Sequence, residues 1–344
     1  MKNLYLALLC AFATAVAFAQ KASTTTNVWT SGRPDGHAPI SVMGDHTHHK
    51  GEWMFSYRFM YMNMEDIQKN TNNITTSDVY SNGYMVAPLK MNMKMHMVGA
   101  MHAISNKITF MAMFNYLEND MDLQMMMNNM NTKFSTSSSG FGDIKVSMLY
   151  QFLNKNRQEL HGILGISIPT GNINKKDYTP MSQDKKVILP YPMQIGSGSL
   201  GTNIGLTYLG QNSLISWGSQ LKGTLYFGTN NNDYRLGNSY DWNNWVALKA
   251  TNWLSFSARI EGKIVDDISG ANPDLMPMMV TTANTQNSGG KYLNSGLGFN
   301  TLIPNGSLKD LRLGFELGYP LYQNVNGIQL TQKQTMTVGL QYAF

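Results

Sequence analysis

The chain has 344 residues, a formal net charge of +5 from 26 basic and 21 acidic side chains, and a single cysteine. A charge this small does not favour a nucleic-acid partner, which requires clustered basic side chains. After the amino terminus there is no run of about 18 apolar residues, which excludes a transmembrane helix.

Residues 1–19 have the form of a secretory signal. Lys2 precedes an apolar run over residues 4–16, and small residues at Ala17 and Ala19 mark a cleavage site before Gln20. Cys10 lies inside this run, and it follows Leu9 where a lipoprotein signal has a small residue, so we do not expect lipidation. The mature chain then has no thiol, which excludes disulfides and cysteine-based metal or catalytic sites.

Residues 20–51 are rich in Thr, Gly, Pro and His and come before the first predicted strand. We expect them to lie in the periplasm or to plug the domain formed by residues 52–344. His46, His48 and His49 lie at the end of this segment. Two-residue alternation places His46 and His48 on one side, where two imidazoles can chelate Cu(II) or Zn(II). A solvated polar leader without metal is the alternative.

Residues 52–64 alternate between two kinds of side chain. One face carries only aromatic residues, from Trp53 to Tyr61, and the other carries Met54, Ser56, Arg58, Met60, Met62 and Met64. An aromatic row suits lipid and its interfaces, so the second row is expected to face the lumen of a transmembrane β-barrel. Residues 107–117 repeat the pattern, with Met111 and Met113 on the polar face.

Further strands are expected along the rest of the chain. Proline cannot donate to a strand ladder, so a strand near residues 93–103 is placed after Pro88. Its four methionines alternate with Lys94, His96 and His102 and are expected to face lipid; they are Met93, Met95, Met97 and Met101. The remaining predicted strands cover residues 144–152, 160–168, 198–209, 213–227, 241–250, 253–265, 290–302, 310–320 and 331–344.

These segments predict an all-β, antiparallel, up-and-down barrel of about 12 strands over residues 52–344, with 10 or 14 strands as alternatives. Short connections alternate with long ones, as periplasmic turns alternate with outer loops in such barrels. The long connections are expected at 65–84, 118–140, 170–197, 228–240, 265–289 and 321–330.

The last strand ends on an aromatic residue. Gln334, Met336, Val338, Leu340, Tyr342 and Phe344 lie on one of its faces. This ending resembles the recognition signal of barrels inserted into the outer membrane of a diderm bacterium. It implies outer-membrane lipids and the barrel-insertion machinery as partners.

Four segments resemble the outer-membrane barrels grouped as the putative MetA-pathway of phenol degradation family. They are Gly140–Ile144, Gly165–Gly171, Gln194–Gly198, and Asn252–Ser255 leading to Glu261 and Gly262. The resemblance extends over about residues 40–344 and implies a channel-like or uptake role. The segment Met43–Met54 is similar to one in a methionine-rich, copper-associated subgroup of these barrels, which implies metal contact at His46, His48, His49, Met54, Met60, Met62 and Met64.

The methionines are concentrated in one region, because 18 of the 26 lie between Met43 and Met130. Soft thioethers select Cu(I), so Met60, Met62 and Met64, together with Met111 and Met113, are candidate metal ligands on the lumen face. The alternative is that methionine serves only as a flexible apolar filler. No cofactor is certain, and copper as Cu(I) or Cu(II) is the candidate.

Three functions follow from these patterns. The first is an outer-membrane channel or transporter that handles soft metal ions, the second a channel for aromatic or other hydrophobic small molecules, and the third a non-transporting surface protein that buffers metal. An enzyme is not expected, because the one late histidine, His161, has no serine motif near it.

Overall fold

The computed structural model describes residues 29–127 and 130–344. The predicted signal sequence, residues 1–19, lies outside the described residues, as does the start of the segment that follows it. One helix, α1 (Thr76–Ser81), and three 3-10 turns at Tyr191–Met193, Thr281–Ala283 and Thr285–Asn287 are present in the described part of the chain. The strands are β1 (Trp53–Asn70), β2 (Asn72–Ile74), β3 (Val86–Ser105), β4 (Ile108–Met127), β5 (Met130–Phe141), β6 (Ile144–Lys155), β7 (Gln158–Ile168), β8 (Lys176–Asp177), β9 (Val187–Ile188), β10 (Leu200–Gln211), β11 (Ile215–Phe227), β12 (Tyr234–Arg235), β13 (Ser239–Lys249), β14 (Leu254–Val265), β15 (Ser269–Gly270), β16 (Gly290–Leu302) and β17 (Leu311–Ala343).

Eleven of these strands form a closed antiparallel ring. The order is β1, β3, β4, β6, β7, β10, β11, β13, β14, β16 and β17, and β17 pairs back with β1. Residues 312–325 of β17 pair with β16 and residues 325–343 pair with β1, so this strand crosses the ring twice. The barrel therefore has twelve crossings, and the predicted antiparallel barrel of about 12 strands is confirmed.

Side chains alternate across the barrel wall as the two-residue period requires. Trp53, Phe55 and Tyr57 are exposed on the outside, whereas Met54, Ser56 and Arg58 between them are buried inside. The same split recurs around the ring, where the exposed outer side chains include Phe110, Phe114, Val146, Ile166, Leu206, Leu221, Val246, Phe256, Ile260, Leu297 and Leu340. An apolar exterior on a closed barrel suits a bilayer, so the protein is an outer-membrane barrel.

The expected orientation of Met93, Met95, Met97 and Met101 is wrong. In the β1–β3 register Met101 pairs with Met54, Met97 with Arg58 and Met93 with Met62, and directly paired residues share one face of a sheet. The four methionines therefore face the lumen. Outside are Val98, His96, which hydrogen-bonds to the Tyr57 hydroxyl, and His102, which stacks on Trp53. The alternation predicted the two rows of β3 correctly, but the more apolar row, the methionines, faces the lumen and not the lipid.

Several predicted boundaries also differ from the structure. β1 continues to Asn70 and β17 extends from Leu311 to Ala343, so the loops expected at 65–84 and 321–330 are partly or wholly strand. The expected long loop at residues 118–140 is a pair of strands instead, because β4 continues to Met127 and β5 pairs with its extension. The strand expected after Pro88 begins earlier, at Val86. Pro88 is tolerated within β3 because the register shifts between Pro88 and Lys90, and such a bulge relieves the need for a ladder donor.

The two ends of the barrel are closed differently. At the end with short turns, which is the periplasmic end, residues 29–51 lie against inward side chains of the ring. At the opposite, outer end, the connections after β7 and β14 pack onto the tops of β3 and β4 around Met121, Leu189 and Val280. None of the helices in the described residues is long and apolar enough to cross a bilayer.

Candidate functional site

One side of the lumen is covered by methionine. We call the inward methionines of β1, β3 and β4 the methionine face, because the pairing registers of these three strands place them on one continuous surface. Its members are Met54, Met60, Met62, Met64, Met91, Met93, Met95, Met97, Met101, Met111, Met113, Met121 and Met125. Flexible thioethers give this surface a soft and adaptable lining.

The registers also set the height of each methionine in the barrel. Met60 pairs with Met95, Met62 with Met93 and Met64 with Met91, which gives three adjacent pairs toward the outer end. These six residues include the predicted candidates Met60, Met62 and Met64. Their partners Met93 and Met95 were expected to face lipid, and Met91 was not among the predicted candidates.

The predicted candidates Met111 and Met113 lie lower in the barrel. Met111 pairs with Met101, which in turn pairs with Met54, near the periplasmic end. Met54 and Met101 pack there with Leu149 and Ile163. The expectation that Met111 and Met113 lie beside Met60, Met62 and Met64 is therefore not met, because β4 presents Leu117, Asn119 and Met121 at that level.

The opposite side of the lumen carries ionic side chains, which we call the charged face. Its members are Lys222, Asp241, Arg259, Glu261, Lys263 and Glu316. The Arg259 Nε lies 2.7 Å from Glu316 Oε1, and its Nη1 lies 3.5 Å from Glu261 Oε1. Lys263 Nζ lies 3.5 Å from Asp241 Oδ1. Arg259, Glu261 and Lys263 therefore lie on the inward row of β14, and their charges are paired within the lumen.

Residues 29–51 are fitted closely into the periplasmic end. The Ser41 Oγ donates to Glu316 at 2.6 Å, and the Thr47 Oγ1 donates to Glu159 at 2.8 Å. Ile40 lies against Gly314 and Gly339 of β17, where an added Cβ at either glycine would come within 3.0 Å of the Ile40 side chain. The absence of side chains at these two glycines thus leaves space in the barrel wall that the Ile40 side chain fills.

Histidines of this segment form a buried cluster. His46 and His48, two of the three predicted ligands, lie with ring centroids 4.8 Å apart, as expected from their spacing. His49, the third, is exposed at the turn into β1 and its backbone N–H donates to Glu52. His37 and Asp45 were missed and complete the cluster: the His37 and His46 ring centroids are 3.9 Å apart, and Asp45 Oδ1 lies 3.0 Å from His46 Nδ1.

A cavity of about 290 Å³ lies at the outer end of the barrel. Its lining is mainly apolar and comes from the tops of β3 to β5 and the loops that follow β7 and β14. Val86, Leu123 and Met125 belong both to this lining and to the apolar cluster that contains Met91 and Met121. The cavity therefore adjoins the upper part of the methionine face.

Comparison with known proteins agrees with this architecture. A family model described as "Putative MetA-pathway of phenol degradation" matches residues 93–331. The solved COG4313 outer membrane channel from Pseudomonas putida F1 is similar in fold, with a TM-score of 0.61 at 12% identity, over 89% of this chain and 100% of that chain. A FadL homologue from Pseudomonas aeruginosa is less similar, with a TM-score of 0.43 at 9% identity, over 93% of this chain and 98% of that chain. No protein of curated function matches the sequence.

Proposed function

This chain belongs to the family described as "Putative MetA-pathway of phenol degradation", and from that premise we propose that it is an outer-membrane channel for small hydrophobic molecules. The observation that carries the proposal is the apolar cavity at the outer end, which adjoins the methionine face. Ligand pockets are usually concave and mostly apolar, with volumes of about 300–1,000 Å³, and this cavity lies at the lower limit of that range. A hydrophobic molecule captured there would next meet thioether side chains along β1, β3 and β4.

The test is binding of a fluorescent apolar probe, N-phenyl-1-naphthylamine, to the refolded barrel. Met276 lines the cavity and is 64% exposed, so Met276→Glu should leave folding intact while placing a carboxylate beside the apolar ligand. We expect about tenfold weaker binding, which corresponds to the loss of one buried apolar contact. Met278→Glu is the matched control, because Met278 is also exposed but does not line the cavity. Equal affinity in both variants would contradict the proposal.

Residues 29–51 are proposed to act as a plug of the periplasmic end. Their contacts with Glu159, Glu316 and the β17 glycines support this role, since they fill the space between the strands at that end. Planar-bilayer recordings of a variant without residues 29–44 should show a larger single-channel conductance than the full chain. An unchanged conductance would mean that the segment does not limit passage.

A second candidate function, the handling of soft metal ions, is favoured by the paired methionines. Met60 and Met95, Met62 and Met93, and Met64 and Met91 bring thioethers together on one face, as a Cu(I) or Ag(I) ion would require. Titration of the refolded barrel with Ag(I) tests it. Changing Met60, Met62 and Met64 to Leu should weaken binding, whereas changing the exposed Met181, Met276 and Met278 to Leu should not. A barrel that binds Ag(I) but does not conduct would instead be a metal buffer.

A further inference from the structure

Three metal-binding side chains meet inside the barrel, all within the segment of residues 29–51. His37, Asp45 and His46 are buried, and one ligand atom from each lies within 4.8 Å of those from the other two. We propose that these three residues bind one divalent transition-metal ion of the Zn²⁺ or Cu²⁺ class. The site adjoins the periplasmic end of the methionine face, because Asp45 lines a small cavity together with Met54, Met101, Met111 and Met113, and it does not depend on the proposed transport function.

The donor set selects the class of metal. Two imidazole nitrogens and one carboxylate oxygen are ligands that Zn²⁺ and Cu²⁺ accept, whereas Cu(I) prefers the thioethers found elsewhere in the lumen. Ligand atoms around a zinc ion lie about 2.0–2.2 Å from the metal, so atoms already within 4.8 Å of one another need only small side-chain rotations to bind it. The ring of His48, 4.8 Å from that of His46, stands where a fourth ligand could join.

Two of the ligands are already oriented by neighbours. The His37 Nδ1 lies 3.2 Å from Gln341 Oε1, so a proton on Nδ1 can be donated to the amide and leaves Nε2 as the free nitrogen. The Asp45 Oδ2 accepts a hydrogen bond of 2.8 Å from the Ala38 backbone N–H. Such outer partners are typical of metal sites, where they fix the tautomer and direction of the ligand.

The third ligand, His46, has a buried ring nitrogen without a hydrogen-bond partner in the described part of the chain. The Nδ1 of His46 lies 3.0 Å from Asp45 Oδ1, but within residues 29–127 and 130–344 its Nε2 has no hydrogen-bond partner, although the side chain is buried. The Nε2 of His48 is likewise buried and unbonded. Buried polar atoms without partners are uncommon and unfavourable, and a metal ion would give these nitrogens a partner.

Two buried arginines oppose the binding of a cation. Arg58 and Arg312 both interact electrostatically with Asp45, so a metal ion competes with them for the charge of that carboxylate. Removing the positive charge of Arg58, which is not itself a ligand, should strengthen metal binding rather than weaken it.

The experiment is calorimetric titration of the refolded, EDTA-treated full-length barrel with Zn²⁺, repeated with Co²⁺ to record its visible absorption. We expect one equivalent of each ion, with affinity at least about tenfold weaker in His37→Ala and in His46→Ala. His49→Ala is the matched control from the same segment and should bind as the unmodified chain does. Changing Met60, Met62 and Met64 to Leu should also leave Zn²⁺ affinity unchanged.

Arg58→Gln keeps all three ligands and should bind Zn²⁺ more tightly. This variant keeps the test decisive even if the alanine variants do not refold, which heat-dependent mobility on SDS gels would show. Failure of the unmodified barrel to bind one equivalent of Zn²⁺, Cu²⁺ or Co²⁺ overturns the proposal. Unchanged affinity in folded His37→Ala and His46→Ala, or in Arg58→Gln where those variants do not fold, also overturns it.

Discussion

The methionine face and the charged face are built by the same alternation but stabilised in different ways. On the methionine face, side chains from β1, β3 and β4 pack on one another and on outer-loop residues such as Leu189 and Val280. On the charged face, Arg259 contacts both Glu261 and Glu316, and Lys263 approaches Asp241. One half of the lumen wall thus relies on apolar contacts and the other on paired charges.

This difference shows that the inner surface of a barrel need not be uniformly polar. Period two requires only that one row faces lipid, and it leaves the chemistry of the other row free. Here the inner row consists mainly of methionine over three strands, with Ser56 and Arg58 among the methionines of β1, and it is ionic over several other strands. The lumen therefore has two unlike walls that a passing molecule would meet together, and variants on each wall can separate their contributions.

The largest effect is expected on the charged face, from Glu316→Ala. Glu316 is buried and accepts hydrogen bonds from the Arg259 Nε at 2.7 Å and the Ser41 Oγ at 2.6 Å. Its loss leaves the buried guanidinium with a neutral acceptor, Asn243 Oδ1 at 2.6 Å, and only the longer 3.5 Å ion pair to Glu261, so we expect the free energy of unfolding to fall by about 3–5 kcal/mol. Urea unfolding in detergent micelles, followed by tryptophan fluorescence, measures the change.

Lys263→Met is the matched control for that prediction. Lys263 is 38% exposed and lies 3.5 Å from Asp241, so losing this pair should lower the free energy of unfolding by less than about 1 kcal/mol. Similar losses in the two variants would show that burial does not set the strength of the ion pairs on this face.

The next largest effect is expected on the methionine face, from Met121→Ala. Met121 is 1% exposed and belongs to the apolar cluster with Met91 and Leu123. A cavity at such a position lowers the free energy of unfolding by about 2–5 kcal/mol. Met127→Ala, six residues along the same strand but 45% exposed, should change it by less than about 0.5 kcal/mol. The same unfolding assay applies, and equal effects would contradict the packing of this face.

The fold could be predicted from the sequence to the level of strands and faces. Alternation of Trp53, Phe55 and Tyr57 with Met54, Ser56 and Arg58 is unambiguous, because aromatic side chains suit lipid better than an arginine does. The strand over residues 253–265 was predicted for the same reason, because apolar side chains alternate there with serine and ionic side chains. Where either row of a strand is compatible with lipid, the sequence alone does not determine which row faces outward.

β3 is the strand on which that ambiguity led to error. Its rows are methionine on one side and Lys94, His96 and His102 on the other, and methionine is the more apolar row. The structure reverses them, because pairing with β1 joins Met97 to Arg58 and Met93 to Met62, and a pair in register must share a face. Register depends on the neighbouring strand, so a pattern within one strand could not supply it.

The histidine cluster could be predicted only in part. The two-residue spacing brings His46 and His48 together. His37 lies beside His46 because the segment turns around Ile40, and Asp45 is held near them by its hydrogen bond from the Ala38 backbone N–H. A signal was present, since His37 is one of six histidines at or before His102. Its place in the cluster was not visible, because no periodic structure connects residue 37 to residue 46.

Apart from the two control variants, the smallest effect on stability is expected when Met60, Met62 and Met64 are changed together to Leu. These side chains are half-buried and the exchange of Met for Leu conserves volume, so we expect the three changes together to lower the free energy of unfolding by less than about 1.5 kcal/mol. The urea assay should therefore give nearly the same unfolding midpoint for the triple variant and the unmodified barrel. A steep loss would mean that thioether flexibility is needed for packing at these positions. A stable variant that keeps its Ag(I) affinity would instead leave the methionine face as an apolar lining, which favours hydrophobic cargo over metal.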